Sequence, residues 1–257
     1  MLEILLFSIV LLIGVLDGVI DGLTGASGGM LNVPILNLLG IPIKTAIGTS
    51  LAVDVIGDVV VSYTYNEHKN VDIKLGVPLI FGTVIGAQIG SALGSTLPSF
   101  GLESAFAIFL IISGIFFWRT EGKIRNLTSY KKLNLGAFKT NTVLSFLIGL
   151  IIGSFIVILG GGGMMILLVL LIVFGLSMNK AVGTSVMVEI GSSLSGWLGY
   201  VIRGYINAMY SIILMIGIII GGRLSAKYAN KINAKVFSKL VGFIQITLGF
   251  SMIFIRS

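Results

Sequence analysis

The chain contains no cysteine and only one histidine among its 257 residues. The absence of thiols excludes disulfide bonds and thiolate metal ligands, and a single histidine cannot supply the usual set of zinc ligands. Charged residues are also scarce, at 11%, against about 25% in an average soluble domain. Hydrophobic residues form continuous runs of about 18 or more, which is the length of a membrane-spanning helix, and no alternating strand pattern repeats. We therefore expect an all-α polytopic membrane protein.

The remaining charge is mainly basic, with a formal net charge of +7. In a soluble protein this excess would suggest nucleic acid, but here the Lys and Arg residues gather in loops, as positive-inside topology requires. We expect a multi-pass protein of the cell membrane with no nucleic-acid partner. The first apolar run has neither a basic n-region nor a small-residue cleavage site, which favours a permanent span over a signal peptide.

The sequence also contains an internal repeat. "KTAIGTSLAVD" at 44–54 resembles "NKAVGTSVMVE" at 179–189, an offset of 135 residues. The same offset aligns Tyr65 with Tyr200 and Asp54 with Glu189. We predict a first membrane repeat at 1–119, a basic cytoplasmic linker at 120–140 and a second repeat at 141–257.

Each repeat has the same series of segments: a long span, a glycine cluster, a short apolar segment and three further spans. In the first repeat these are 2–23, 25–29, 30–39, 46–65, 75–97 and 102–118, and in the second 142–159, 160–163, 164–174, 181–201, 208–225 and 236–255. The sequence leaves open whether the short segments cross the membrane fully.

Charge bias favours an inverted relationship between the repeats. The loop around 95–101 has no Lys or Arg, whereas the equivalent segment 223–239 has five. Equivalent loops on opposite membrane faces satisfy this bias, and they require five crossings in each repeat. We therefore expect two inverted repeats of about five helices, one of them short, with both termini outside.

The glycine clusters interrupt helices inside the membrane, where bare backbone groups are tolerated only against protein or water. The helix that follows each cluster begins with unpaired N–H groups and the positive end of its dipole, which attract anions. Serine and threonine hydroxyls come next in two Gly-Thr-Ser triplets. Close packing of helices through small residues is the alternative explanation. The predicted substrate-binding residues are Gly25, Ser27, Gly28, Gly29, Thr49, Ser50, Gly161, Gly162, Gly163, Thr184 and Ser185.

Carboxylates inside predicted spans are costly and are therefore functional candidates. Some share one helix face at a spacing of four residues. We expect them either to face water or to carry a proton for part of the transport cycle, which would couple transport to the proton gradient. The coupling or gating candidates are Asp54, Glu189, Asp17, Asp21 and Asp58.

The order of motifs resembles the TauE/SafE family of sulfite-exporter-like membrane proteins. The resemblance rests on glycines at 14, 18 and 22, "GASGG" at 25–29, Pro34, Gly40 and "AIGTS" at 46–50, with "GGGG" and "AVGTS" in the second half. It implies a permease for small sulfur-containing or organosulfonate anions such as sulfite or sulfoacetate. The family's usual Gly-x-Gly-Gly-Gly has Ser27 at its third position here, and Asp17 and Asp21 stand where the family has small or apolar residues.

We therefore expect a secondary transporter for such anions that works by alternating access, with the anion, the bilayer and protons as its partners. No paired nucleophile and base is visible, so we expect no enzyme activity, and we expect no cofactor or metal. A cation permease that uses the intramembrane carboxylates and a non-transporting membrane scaffold are the alternatives. The sequence does not distinguish a monomer from a homodimer.

Overall fold

The computed structural model describes residues 2–25, 29–120, 141–229 and 234–254, and the regular secondary structure of this part of the chain is entirely helical. The prediction of an all-α polytopic membrane protein is confirmed. The helices are α1 (Leu2–Thr24), α2 (Gly29–Leu38), α3 (Ile43–Glu67), α4 (Ile73–Thr96), α5 (Ser99–Thr120), α6 (Thr142–Ile158), α7 (Gly163–Ile172), α8 (Met178–Val201), α9 (Ala208–Tyr228) and α10 (Ala234–Phe254).

Six of these helices are long and apolar enough to cross a membrane, namely α1, α3, α4, α5, α9 and α10. The short helices α2 and α7 have 10 residues each. At 1.5 Å per residue each extends about 15 Å, which is about half the hydrocarbon thickness of a bilayer. Helix α3 is the most enclosed of the six candidate spans, with 72% of its apolar window buried. It therefore lies at the centre of the fold.

Glycine contacts show the direction in which neighbouring helices run. A Cβ atom at Gly14 would meet Leu214, one at Gly18 would meet Ile218 and one at Gly22 would meet Ser225. Residue numbers rise together along both helices, so α1 and α9 are parallel and pack through small residues. The glycines at 82, 86 and 90 of α4 make the equivalent contacts with α6. Each of these glycine rows is therefore a packing surface.

The central helices α3 and α8 run in opposite directions. Gly48 near the start of α3 lies against the Tyr205 carbonyl, just beyond the end of α8, and Gly183 near the start of α8 lies against the side chain of Tyr65 near the end of α3. Helix α3 is parallel to α9, because Gly57 contacts Ile218 and Val61 contacts Gly222.

Helices α1 and α3 thus run in the same direction, since both are parallel to α9. The segment between them, which contains α2, must carry the chain back to the opposite end of the bundle. From the sequence alone, it was open whether the short segments cross the membrane fully. The inverted arrangement of the repeats stays a prediction, with which these helix directions do not conflict. The division into repeats at 1–119 and 141–257 also stays a prediction.

Candidate functional site

The first glycine of each cluster ends a helix. Gly25 follows α1 with φ 60° and Gly160 follows α6 with φ 69°. Glycine adopts this left-handed conformation without the steric cost that a side chain would add. After α6, the Gly161 N–H donates to the Ile156 carbonyl at 2.9 Å, the hydrogen bond that closes a Schellman motif. These glycines are therefore required by the helix ends themselves.

The last glycine of each cluster begins the next helix, and here the two repeats touch. A Cβ atom at Gly29, the start of α2, would overlap the Gly160 carbonyl. A Cβ atom at Gly163, the start of α7, would overlap the Gly25 carbonyl and Oε2 of Glu189. The two helix breaks are thus in backbone contact inside the bundle. These contacts support the close-packing explanation for the glycines, and they also place both helix starts in one region.

The described members of the predicted binding set are all buried. They are Gly25, Gly29, Thr49, Ser50, Gly161, Gly162, Gly163, Thr184 and Ser185. The two remaining members, Ser27 and Gly28, lie outside the described residues. The structure therefore brings the described glycines of the two breaks together, and the role of the set in binding stays a prediction.

The Gly-Thr-Ser triplets hold loops from the opposite half of the chain. Thr184 Oγ1 accepts a hydrogen bond of 2.9 Å from the Asp72 N–H, just before α4. Thr49 Oγ1 accepts an equivalent bond of 2.9 Å from the Asn207 N–H, just before α9. We call these two contacts the loop clamps. Both threonine hydroxyls are thus used by the backbone, which the sequence analysis did not foresee.

The serines that follow the two threonines differ in their contacts. Ser185 Oγ donates to the Val182 carbonyl at 2.9 Å and lies 3.4 Å from the Gly25 carbonyl. Ser50 Oγ is buried and has no hydrogen-bond partner among the described residues. The Ser50 hydroxyl therefore has a hydrogen-bond donor that no described residue uses.

The candidate carboxylates come together from three helices, α1, α3 and α8, and each is at most 1% exposed. Asp17 lies within range of electrostatic repulsion from Asp21 and Asp54, and Asp58 within range of Asp21, Asp54 and Glu189. Within the described part of the chain no Lys or Arg side chain is buried among them. We call these five residues the acidic cluster.

Two amide or hydroxyl side chains contact the acidic cluster. Asn32 Nδ2 of α2 donates to Asp17 Oδ2 at 2.6 Å, and Ser193 Oγ of α8 lies 3.5 Å from Asp58 Oδ2. Ser193 is the repeat equivalent of Asp58 at the 135-residue offset, and this offset could have identified it from the sequence. The acidic cluster is therefore linked to the first helix break through Asn32.

A carboxyl group lies directly at the start of α7. Gly162 stands at the N-cap and supplies no capping side chain, while Oε2 of Glu189 lies against Gly163. A carboxylate in this position is favoured by the helix dipole. In the described ranges, no group of three or more His, Cys, Asp or Glu side chains converges to hold a metal ion.

Comparison with known proteins decides the family. The family model described as sulfite exporter TauE/SafE matches residues 10–252. The chain belongs to the TauE/SafE family. Membership makes it a multi-pass membrane transporter, as the resemblance predicted, and no solved structure matches the chain significantly.

Proteins with sequences similar to this chain are also named as transporters. The probable membrane transporter protein YdhB of Bacillus subtilis is 26% identical over 96% of this chain and 100% of its own length. YunE of the same organism, another probable membrane transporter protein, is 25% identical over 96% of this chain and 97% of its own. The probable membrane transporter protein MJ0441 of Methanocaldococcus jannaschii is 27% identical over 97% of this chain and 96% of its own length.

Proposed function

We propose that this TauE/SafE transporter carries a small sulfur-containing anion, such as sulfite or sulfoacetate, across the plasma membrane by alternating access. The observation that carries the proposal is the Glu189 carboxylate at the start of α7. The Glu189 carboxylate, when ionised, has the same sign of charge as the proposed substrate. It lies where backbone N–H groups and the helix dipole favour an anion. The family description, sulfite exporter, supports the choice of anion class.

Substrate and Glu189 would compete for the same helix start. An oxyanion enters more readily when Glu189 is protonated, because the carboxyl is then neutral and its repulsion is removed. Binding of the anion and uptake of a proton are therefore coupled in this proposal. Asp54 has the equivalent position in α3 and would act at the first break, with Asp17, Asp21 and Asp58 as further coupling or gating groups. The cell-membrane location and the outward termini belong to the same proposal.

Uptake by purified protein in sealed vesicles tests this function. We would compare ³⁵S-labelled sulfite, thiosulfate, sulfoacetate and taurine, each with and without an imposed pH gradient. We expect uptake of sulfite or sulfoacetate, and less uptake of taurine because its ammonium group cancels the sulfonate charge. Absence of uptake for all four compounds would contradict the proposed anion class.

Variants of single acids test the coupling. Glu189→Gln and Asp54→Asn should each retain anion uptake while losing its response to the pH gradient, because an amide cannot exchange the proton. Glu67→Gln is the matched control, since Glu67 is an exposed acid at the end of α3. A full response to the pH gradient in Glu189→Gln would remove Glu189 from the coupling step.

The acidic cluster favours a second candidate function, a cation permease. Five buried carboxylates with no buried Lys or Arg among the described residues form a region that attracts cations. The same vesicles distinguish the two functions. Uptake of a labelled cation in the complete absence of the sulfur anions would favour the cation permease.

A further inference from the structure

Three polar side chains of the first repeat, two on α1 and one on α2, are linked through Asp17, which contacts Asn32 and lies within range of electrostatic repulsion from Asp21. They are Asp17, Asp21 and Asn32, with exposures of 0%, 1% and 0%. Asn32 Nδ2 donates to Asp17 Oδ2. Among the described residues, no donor reaches Asp17 Oδ1, Asn32 Oδ1 or either carboxylate oxygen of Asp21. Buried acceptors normally have partners, so these four acceptor oxygens require an explanation.

The second repeat provides an internal comparison for this group. At the 135-residue offset, Asp17, Asp21 and Asn32 correspond to Ile152, Ile156 and Leu167. Ile156 and Leu167 belong to the hydrophobic core. The fold therefore fills these positions with apolar side chains where it has no other requirement. All three positions are polar in the first repeat, which indicates that the three side chains act together.

The position of Asp21 adds to the negative potential of the group. Asp21 lies in the last turn of α1, which ends at Thr24, so the negative end of the helix dipole is next to its carboxylate. Asp17 stands four residues earlier on the same helix face, and like charges at this spacing repel each other. A cation at this place would be favoured by both carboxylates and by the helix end. Ends of interrupted helices bind coupling cations in other membrane transporters.

We propose that Asp17, Asp21 and Asn32 form a binding site for a sodium ion. Carboxylate and amide oxygens are the ligands that hard cations prefer, and a metal ion can contact several of them at once, whereas a proton binds one oxygen. Asp21 lies four residues before Gly25 in the sequence, so the site is next to the first helix break. One part of this inference rests on the proposed function: the bound sodium ion offsets the negative charge of the acidic cluster and so allows the anion to bind.

Direct binding of ²²Na⁺ to the purified full-length protein tests the site without any anion substrate. Ionic strength is kept constant with choline chloride. We expect saturable binding that choline does not displace. Asp21→Asn and Asn32→Leu should weaken sodium binding at least tenfold, while Asn32→Asp, which keeps a ligand oxygen, should retain it. Sodium tenfold above its Kd should also raise the melting temperature of the wild type by about 3 °C.

Glu67→Gln is the control, since Glu67 is an exposed acid at the end of α3, outside both the proposed site and the acidic cluster. It should bind sodium within threefold of the wild type. Absence of saturable sodium binding in the wild type would overturn the proposal whether or not any variant folds. An equal loss in Glu67→Gln and Asp21→Asn would also overturn it, because the effect would then be one of general charge. Intact sodium binding without anion uptake would contradict the proposed function alone.

Discussion

Replacement of Thr184 by valine should release one loop clamp. Valine has nearly the shape of threonine but no oxygen, so the Asp72 N–H loses the acceptor that now lies 2.9 Å away. An N–H group left without a partner in the interior costs about 1–3 kcal/mol. Asp72 is only half-buried, so water can reach it in part, and we expect about 1–2 kcal/mol. In a chain of this size, that loss lowers the melting temperature by about 2–8 °C.

The control for this change is Thr184→Ser, which keeps the hydroxyl and loses only a methyl group. Thermal unfolding followed by tryptophan fluorescence compares the two variants, and hydrogen exchange measured on the peptide 68–76 reports the clamp itself. We expect the Asp72 amide to lose its protection in Thr184→Val and to keep it in Thr184→Ser. Unchanged protection of Asp72 in Thr184→Val would refute the clamp.

The second loop clamp allows an independent repetition of this test. Thr49→Val should expose the Asn207 amide in the same way. Thr184 and Tyr200 both belong to α8, and Tyr200 lies against Gly48, the neighbour of Thr49. Sixteen residues of helix span about 24 Å, so the two clamps are well separated. The stability losses should therefore add to within about 0.5 kcal/mol in the double variant.

Further predictions concern backbone conformation and the contact between the repeats. Lys69 has φ 57° at the end of α3, where the repeat-equivalent residue is Gly204 with φ 78°. Lys69→Gly should therefore stabilise the protein by about 0.5–1 kcal/mol, whereas Lys69→Ala should give no gain in thermal unfolding. Gly163→Ala should prevent normal assembly, seen as aggregation in size-exclusion chromatography, because its Cβ would overlap the Gly25 carbonyl. Gly101→Ala has open space around the new methyl group and should leave assembly unchanged.

Most of the fold could be predicted from the sequence, because apolar length and the repeat are local signals. The 135-residue offset relates the first residue of α3, Ile43, to the first residue of α8, Met178, without any shift. The short helices α2 and α7 begin within one residue of their predicted starts. Glycine clusters mark these boundaries because helix ends need left-handed residues.

The contacts that shape the site could not be predicted in this way. Each loop clamp joins residues more than 100 positions apart, Asp72 with Thr184 and Thr49 with Asn207. The sequence showed the threonines as hydroxyl donors, but not that backbone N–H groups would use them as acceptors. Likewise, the acidic residues were visible one by one, and only the packing of α1, α3 and α8 brings them into one cluster.

The central claim is that an oxyanion binds at the two helix breaks in contact, where α2 and α7 begin. A crystal of the protein soaked with selenite, an analogue of sulfite, would locate the anion through the anomalous scattering of selenium. The account predicts a selenium peak beside Gly29 and Gly163, with the Glu189 carboxylate displaced from the start of α7. A peak elsewhere in the bundle, in protein that transports selenite, would contradict it.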